Sequence, residues 1–143
     1  MELSIIIVNW NTKELLLDCL DSIVKSKPKT KYEIIVVDNG STDGSVTAFQ
    51  RLHFPASNFH LIKNHSNLGF AKANNQGISK ARGKYILLLN SDTKVKTGSI
   101  DKLLTFAKAK GNAGVVVPKL LNSDGSVQGS VFRLPNRILA QFH

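Results

Sequence analysis

No stretch narrows the choice of fold as much as Tyr85-Ile86-Leu87-Leu88-Leu89-Asn90-Ser91-Asp92-Thr93, an apolar run that stops abruptly in polar residues and a carboxylate. Five consecutive apolar or aromatic residues, set between Gly83-Lys84 and Asn90-Ser91, predict a strand buried on both faces, as in a parallel sheet. Such sheets bind ligands outside the carboxyl ends of their strands, which puts Asp92 where the chemistry of this architecture sits. A carboxylate there, beside Asn90, Ser91 and Thr93, offers hard oxygens suited to a magnesium or manganese ion, above all one that also carries phosphates. The same residues serve as a solvated turn in which Asp92 merely caps the next segment, and the run alone does not choose.

Two further runs have the same form. Leu3 to Val8 is apolar and rich in β-branched side chains, so it reads as a central strand; it ends in Asn9-Trp10-Asn11-Thr12, with the chain's only tryptophan. Thr12 is placed to cap a helix whose Leu16, Cys19, Leu20 and Ile23 recur at helical spacing and which gives out near Ser26-Lys27-Pro28. Tyr32 to Val37 predicts a second strand, which runs into Asp38-Asn39-Gly40-Ser41-Thr42-Asp43-Gly44-Ser45. Glycines and hydroxyls suit any tight turn into a helix carrying Val46, Phe49 and Leu52. Asp38 is equally placed to accept hydrogen bonds from a base or ribose, as an acid at the end of a second strand does in dinucleotide folds. The Gly-x-Gly-x-x-Gly of those folds is missing from the first turn, where Asn9-Trp10-Asn11 stands, and this argues against a nicotinamide or flavin enzyme.

Beyond Phe54-Pro55, Phe59 to Lys63 predicts a third short strand. The segment from Asn64 to Gly77 then opens a helix running to about Arg82, with Phe70, Ala73, Ile78 and Ala81 for its buried side. Asn74-Asn75-Gln76 lack the helix propensity of Ala or Leu, which favours Asn67 and Asn74 facing the ligand edge over a purely solvated face. After Asp92, a helix from about Ser99 to Ala109 turns Ile100, Leu103, Leu104 and Ala107 inward, and Gly114-Val115-Val116-Val117-Pro118 reads as a fifth strand. Asp124-Gly125, between Leu120-Leu121 and Ser126-Val127, predicts a hairpin. The apolar tail around Phe132, Leu134, Ile138 and Phe142 has no element after it to pack on, the pattern of a chain cut from something longer. Strands alternating with helices predict an α/β fold: a mostly parallel sheet flanked by helices, with a C-terminal β-hairpin.

Composition sets the outer limits. The 143 residues are one domain's worth of chain, and 42% hydrophobic against 20% charged residues describes a globular protein, not a disordered one. The longest apolar run falls far short of the ~20 residues of a membrane-spanning helix, and no basic segment precedes a signal-like core, so the default location is cytoplasmic. The single Cys19 cannot form an internal disulfide, and no Cys/His spacing suggests zinc. A net charge of +9 favours an anionic partner: nucleotide phosphates, nucleic acid or an acidic membrane surface. The lysines are scattered, and no basic stripe alternates with aromatics as in single-strand binders, so nucleic acid rests on charge alone.

Four pieces together carry a resemblance. They are Ser4-Ile5-Ile6-Ile7-Val8-Asn9-Trp10-Asn11, Val36-Val37-Asp38-Asn39-Gly40-Ser41-Thr42-Asp43-Gly44, Asn67-Leu68-Gly69-Phe70-Ala71-Lys72-Ala73-Asn74-Asn75-Gln76-Gly77 and Leu88-Leu89-Asn90-Ser91-Asp92-Thr93. In this order and at these distances the chain resembles, over essentially all its length, the amino-terminal half of a family-two glycosyltransferase of the GT-A, Rossmann-like fold. Its nearest likeness is to the bacterial rhamnosyltransferase-like members. The resemblance implies that residues 1–143 are a nucleotide-sugar-binding donor domain, truncated before the acceptor half.

In that family the first-strand loop, here Val8-Asn9-Trp10-Asn11, lies beside the nucleoside, and the acid matching Asp38 contacts base or ribose. The region matching Asn67, Gly69, Phe70, Ala71 and Asn74 closes over the nucleotide. The Asp-x-Asp motif that holds a divalent metal, magnesium or manganese, on the diphosphate maps to Asn90-Ser91-Asp92. The chain departs from the motif at Asn90, leaving Asp92 as the carboxylate for the metal. Such enzymes invert configuration, with a carboxylate base deprotonating the acceptor hydroxyl. That base lies in the family's acceptor half, and nothing after Asp124 is acidic, so this chain is expected to bind donor without efficient transfer and to hold no catalytic base. The implied partners are a nucleotide-diphosphate-sugar and a saccharide or lipid-linked acceptor in cell-surface polysaccharide or glycolipid synthesis. Nucleic acid is not among them, and the implied setting is the cytoplasm, with peripheral association at the inner membrane face. The alternative, to which Asn90 lends weight, is a catalytically incompetent nucleotide-binding module of the same fold.

Overall fold

Three of the apolar runs and the short Phe59 segment become one sheet. The computed structural model describes residues 1–52 and 58–129, with elements in the order β1 (Leu3–Asn9), α1 (Lys13–Lys25), β2 (Tyr32–Asp38), α2 (Ser45–Gln50), β3 (Phe59–Lys63), α3 (Phe70–Lys80), β4 (Tyr85–Asn90) and α4 (Ser99–Ala109). The strands lie in the order β3-β2-β1-β4 and every neighbouring pair is parallel. Parallel pairs need a crossover, and each is made through a helix. The chain divides into two compact units, Met1–Leu104 and Thr105–His143.

The continuous apolar runs of β1 and β2 follow from burial on both faces. On one face Leu3, Ile5, Ile7, Ile34 and Val36 pack with Leu16, Cys19, Leu20 and Ile23 of α1, with Phe49 and with Ile100. On the other, Ile6, Ile35 and Val37 meet Ala73 of α3. That helix rides close to the sheet, because a Cβ added at Gly77 would stand 2.5 Å from Ile6 Cγ2. Its buried residues are therefore the small ones, Ala73, Asn74 and Gly77, and not the expected Phe70 and Ile78, which are exposed. A large side chain on the contact face would push the helix away from the sheet.

The expectation for β4 is corrected in the same way. Tyr85, Leu87 and Leu89 pack on the core, but Ile86 and Leu88 are 44% and 49% exposed. In the described residues β4 is the sheet's edge, and α3 lies over β1 and β2, so no helix covers the second face of the run. Gly114 to Pro118 forms no strand, and Val115 and Val117 are exposed. The predicted hairpin amounts to one antiparallel bridge, Leu121↔Val127, around a turn in which Asn122 N donates to Ser126 O at 2.9 Å. Phe54-Pro55 and the apolar tail from Phe132 lie outside the described residues.

At the amino ends of the strands, fully buried Glu33 ties three segments together. It accepts hydrogen bonds from Ser4 Oγ (2.7 Å), Arg82 N (2.7 Å) and Arg82 Nε (2.8 Å). Burial pushes its carboxyl pKa up, but these bonds and the Arg82 charge outweigh that and hold it below the ordinary value. Among the described residues no helix is long and apolar enough to cross a membrane.

Candidate functional site

The carboxyl ends of β2, β1 and β4 lie side by side, with Asn9 in register with Asp38 and Val8 in register with both Val37 and Asn90. Asn9 is fully buried and donates through Nδ2 to Asp38 Oδ2 at 2.9 Å and to Ser41 Oγ at 3.1 Å. Asp38 Oδ1 accepts from the Ser41 backbone N–H at 2.9 Å. A buried carboxylate between two donors is fully satisfied on its protein side and keeps spare lone pairs for a ligand. Asn11 adopts φ 53°, a left-handed conformation that Asn tolerates better than most residues. There its N–H donates to Ser41 Oγ (2.9 Å) and its Oδ1 accepts from Thr42 N (2.8 Å), so the first two strand-end loops are joined.

Asn39 extends this network toward α3. It donates to Asn67 Oδ1 at 2.7 Å, while its Oδ1 accepts from Asn64 Nδ2 (3.1 Å) and from Leu68 N (3.0 Å). Gly40 is required where these loops meet: it has φ 85°, and an added Cβ would stand 2.7 Å from Ser66 Cα. Asn67, predicted from sequence, is thus joined to the residue beside Asp38. Gly69, Phe70 and Ala71 are exposed where α3 begins. Asn74 is buried in the next turn, with Nδ2 donating to Phe70 O at 3.0 Å.

At the end of β4, Asn90 and Asp92 are exposed and Ser91 is half-buried. Helix α1 holds this turn. Cys19 Sγ donates to Asn90 O at 3.7 Å, Val95 N donates to Ser22 Oγ at 2.9 Å, and Lys94 pairs with Asp18 at 2.9 Å. Burial, and next the negative charge of Asp92, push the Cys19 thiol up to about 12. Thr12 stands at the N-cap position but makes no capping bond to the helix, contrary to expectation. Its hydroxyl donates to Asn9 Oδ1 at 2.8 Å and lies 3.0 Å from Ser91 Oγ.

Asn39, Ser41, Asn64 and Thr12 escape sequence reasoning as site residues; their only signal is adjacency to Asp38, to the third strand or to the first loop. Trp10, in the first-strand loop expected beside the nucleoside, is 53% exposed. The described residues contain no group of three or more His, Cys, Asp or Glu, and in the Asn90-Ser91-Asp92 turn the carboxylate is that of Asp92. Exposed Asp92 with the neutral oxygens of Asn90 and Ser91 fits magnesium or manganese held jointly with phosphates, the mode in which such ions usually bind.

The model of glycosyl transferase family 2 matches residues 4–138. The poly(ribitol-phosphate) beta-glucosyltransferase of Bacillus spizizenii is 33% identical over 139 residues, covering 95% of this chain and 22% of its own. The N-acetylglucosaminyl-diphospho-decaprenol L-rhamnosyltransferase of Mycobacterium tuberculosis is 32% identical over 122 residues, covering 77% and 38%. Among solved structures, S. aureus TarS 1-349 in complex with UDP-GlcNAc superposes with a TM-score of 0.69 at 23% identity, covering 83% of this chain and 37% of that one. The mannosyltransferase PcManGT of Pyrobaculum calidifontis, in complex with GDP-Man and Mn2+, gives 0.58 at 28% identity, covering 64% and 27%. These neighbours show the GT-A arrangement of parallel sheet and flanking helices, and this chain spans well under half the length of each. The chain belongs to glycosyl transferase family 2.

Proposed function

We propose that residues 1–143 are the donor-binding portion of an inverting glycosyltransferase, which passes a sugar from a nucleotide-diphosphate-sugar to an acceptor hydroxyl. The observation that carries this reading is the pairing of a buried, hydrogen-bonded carboxylate, Asp38, with an exposed one, Asp92, at the ends of strands flanking β1. A buried acceptor at one end and an exposed carboxylate able to hold a cation at the other suit a ligand with a neutral hydrogen-bonding end and an anionic end. Asp38 takes the base or ribose, with Val8, Asn9 and Asn11 beside it. The exposed Trp10 indole offers a flat apolar surface for the base. Asn67, Gly69, Phe70, Ala71 and Asn74 border the other side of the nucleotide.

Asn90, Ser91 and Asp92 take the diphosphate end, with Asp92 holding the metal. A divalent ion there supplies charge neutralisation for the departing nucleoside diphosphate. The acceptor is a saccharide or a lipid-linked acceptor in cell-surface polymer synthesis, a reading that the names of the relatives support, and the enzyme works in the cytoplasm with peripheral association at the inner membrane face. The general base belongs to the acceptor-binding part of the enzyme.

Calorimetry with UDP, with GDP and with the thymidine diphosphate dTDP, each with manganese and with chelator, tests the reading. Binding that manganese strengthens, and that Asp92→Ala reduces to the level seen in chelator, is expected. Binding indifferent to both manganese and Asp92→Ala supports instead the incompetent module, which Asn90 favours. No binding of UDP, of GDP or of dTDP defeats both.

A further inference from the structure

The two ends of the proposed site are joined by one directed hydrogen-bond chain. The Asp38 carboxylate can only accept, so Asn9 turns Nδ2 toward it and Oδ1 toward Thr12. Thr12 Oγ1 therefore donates to Asn9 Oδ1 at 2.8 Å and is left with lone pairs for Ser91 Oγ, 3.0 Å away, which must be the donor. From the turn after β4 to the carboxylate of β2, every proton points the same way, and bonds arranged so polarise one another. Asn9 and Asp38 are 0% and 2% exposed, so the far half of this hydrogen-bond chain is shut off from solvent. Ser91, its proton committed to Thr12, turns only lone pairs outward, the polarity that suits a cation and not a phosphate oxygen.

Thr12 is the link between the two halves. Its backbone is fixed by the start of α1, where its carbonyl accepts from Leu16 N at 2.9 Å. Its hydroxyl forgoes the capping bond that this position normally makes and bridges two loops 79 residues apart in sequence. We propose that Thr12 is a positioning residue that locks the Asp38 turn and the Asn90–Asp92 turn into one frame, holding the nucleoside and diphosphate ends at a fixed separation. The frame is a property of the free chain; its use in binding rests on the function proposed above.

The test compares Thr12→Val, which keeps the shape and loses the hydroxyl, with Thr12→Ser, which keeps the hydroxyl. Two backbone amides report on the turns without any ligand: Ser41 N–H on Asp38 Oδ1 and Thr93 N–H on Asn90 O. In Thr12→Val, hydrogen exchange at both amides should quicken and manganese-dependent UDP binding should weaken, each by about tenfold, with Thr12→Ser restoring both to within about twofold. Amides in the first turn of α1 should not change, because the hydroxyl does not cap them. Unchanged exchange at either turn overturns the proposal. So does wild-type binding by a Thr12→Val chain whose turns have both loosened. If the wild type binds none of UDP, GDP and dTDP while Thr12→Val loosens both turns, the donor reading fails and the frame stands. Should Thr12→Val not fold, Ser91→Ala cuts the same chain without touching α1, and the exchange at Ser41 and Thr93 is read in that variant.

Discussion

Truncating Asp38 tests the geometry of the site before any ligand is added. Asp38→Ala removes the acceptor of two donors, Asn9 Nδ2 and Ser41 N, each at 2.9 Å. A buried donor left unsatisfied costs about 1–3 kcal/mol. Asn9 is fully buried and its Nδ2 retains only the 3.1 Å bond to Ser41 Oγ, whereas half-buried Ser41 can turn its amide toward water, so the sum is about 2–4 kcal/mol. For a unit of this size that is a fall in Tm of roughly 10–25 °C, a large fraction of the stability of an ordinary domain. Asp38→Asn should behave differently. Its amide can meet Asn9 only if Asn9 flips, and the flip is accommodated because Thr12 and Ser91 are hydroxyls able to exchange donor and acceptor roles. We expect that variant to lose about 1 kcal/mol or less, while nucleotide binding weakens because an acceptor facing the ligand has become a donor. Urea unfolding followed by circular dichroism measures both. Wild-type stability in Asp38→Ala would show that these hydrogen bonds do not organise the loops, and equal losses in the two variants would show that the chain cannot reverse.

Three further outcomes rest on burial and charge. Leu87→Ala should cost about 2–3 kcal/mol and Leu88→Lys less than about 1; the opposite order in urea unfolding would mean that the covered face of β4 has been misassigned. Because the folded pKa of Glu33 is depressed below 4.5, its contribution is present above that value and lost as pH falls through the folded pKa. Wild type should therefore lose stability more steeply than Glu33→Gln between about pH 5 and about pH 3, and parallel curves would contradict this. With its thiol pushed up to about 12, Cys19 should be alkylated at about pH 8 at least a hundredfold more slowly in the folded chain than in urea. Similar rates in both states would mean that the thiol is not enclosed between α1 and β4.

Local pattern carried much of the architecture. Leu3–Val8 and Tyr32–Val37 are strands one residue longer than their apolar runs, and Leu16, Cys19, Leu20 and Ile23 are all buried, as helical spacing requires. Errors came where a residue's fate depends on a distant partner. Val115-Val116-Val117 has strand-forming side chains, but a strand also needs an edge to pair with. Ile86 and Leu88 look as buried as Ile6, yet α3 covers β1 and stops short of β4. Thr12 satisfies the local rule for a cap, and its hydroxyl goes instead to Asn9 and Ser91.

The amino-acid order alone settled that strands and helices alternate, that the strands are parallel, and that carboxylates stand at the carboxyl ends of two of them, because these follow from periodicity and from short-range sterics. Which strand forms an edge among the described residues, which of its side chains are exposed there, and which hydroxyl ties the loop after β1 to the loop after β4 emerged only from the assembled chain. Burial and hydrogen bonding are relations between groups far apart in sequence, and no local window contains both partners.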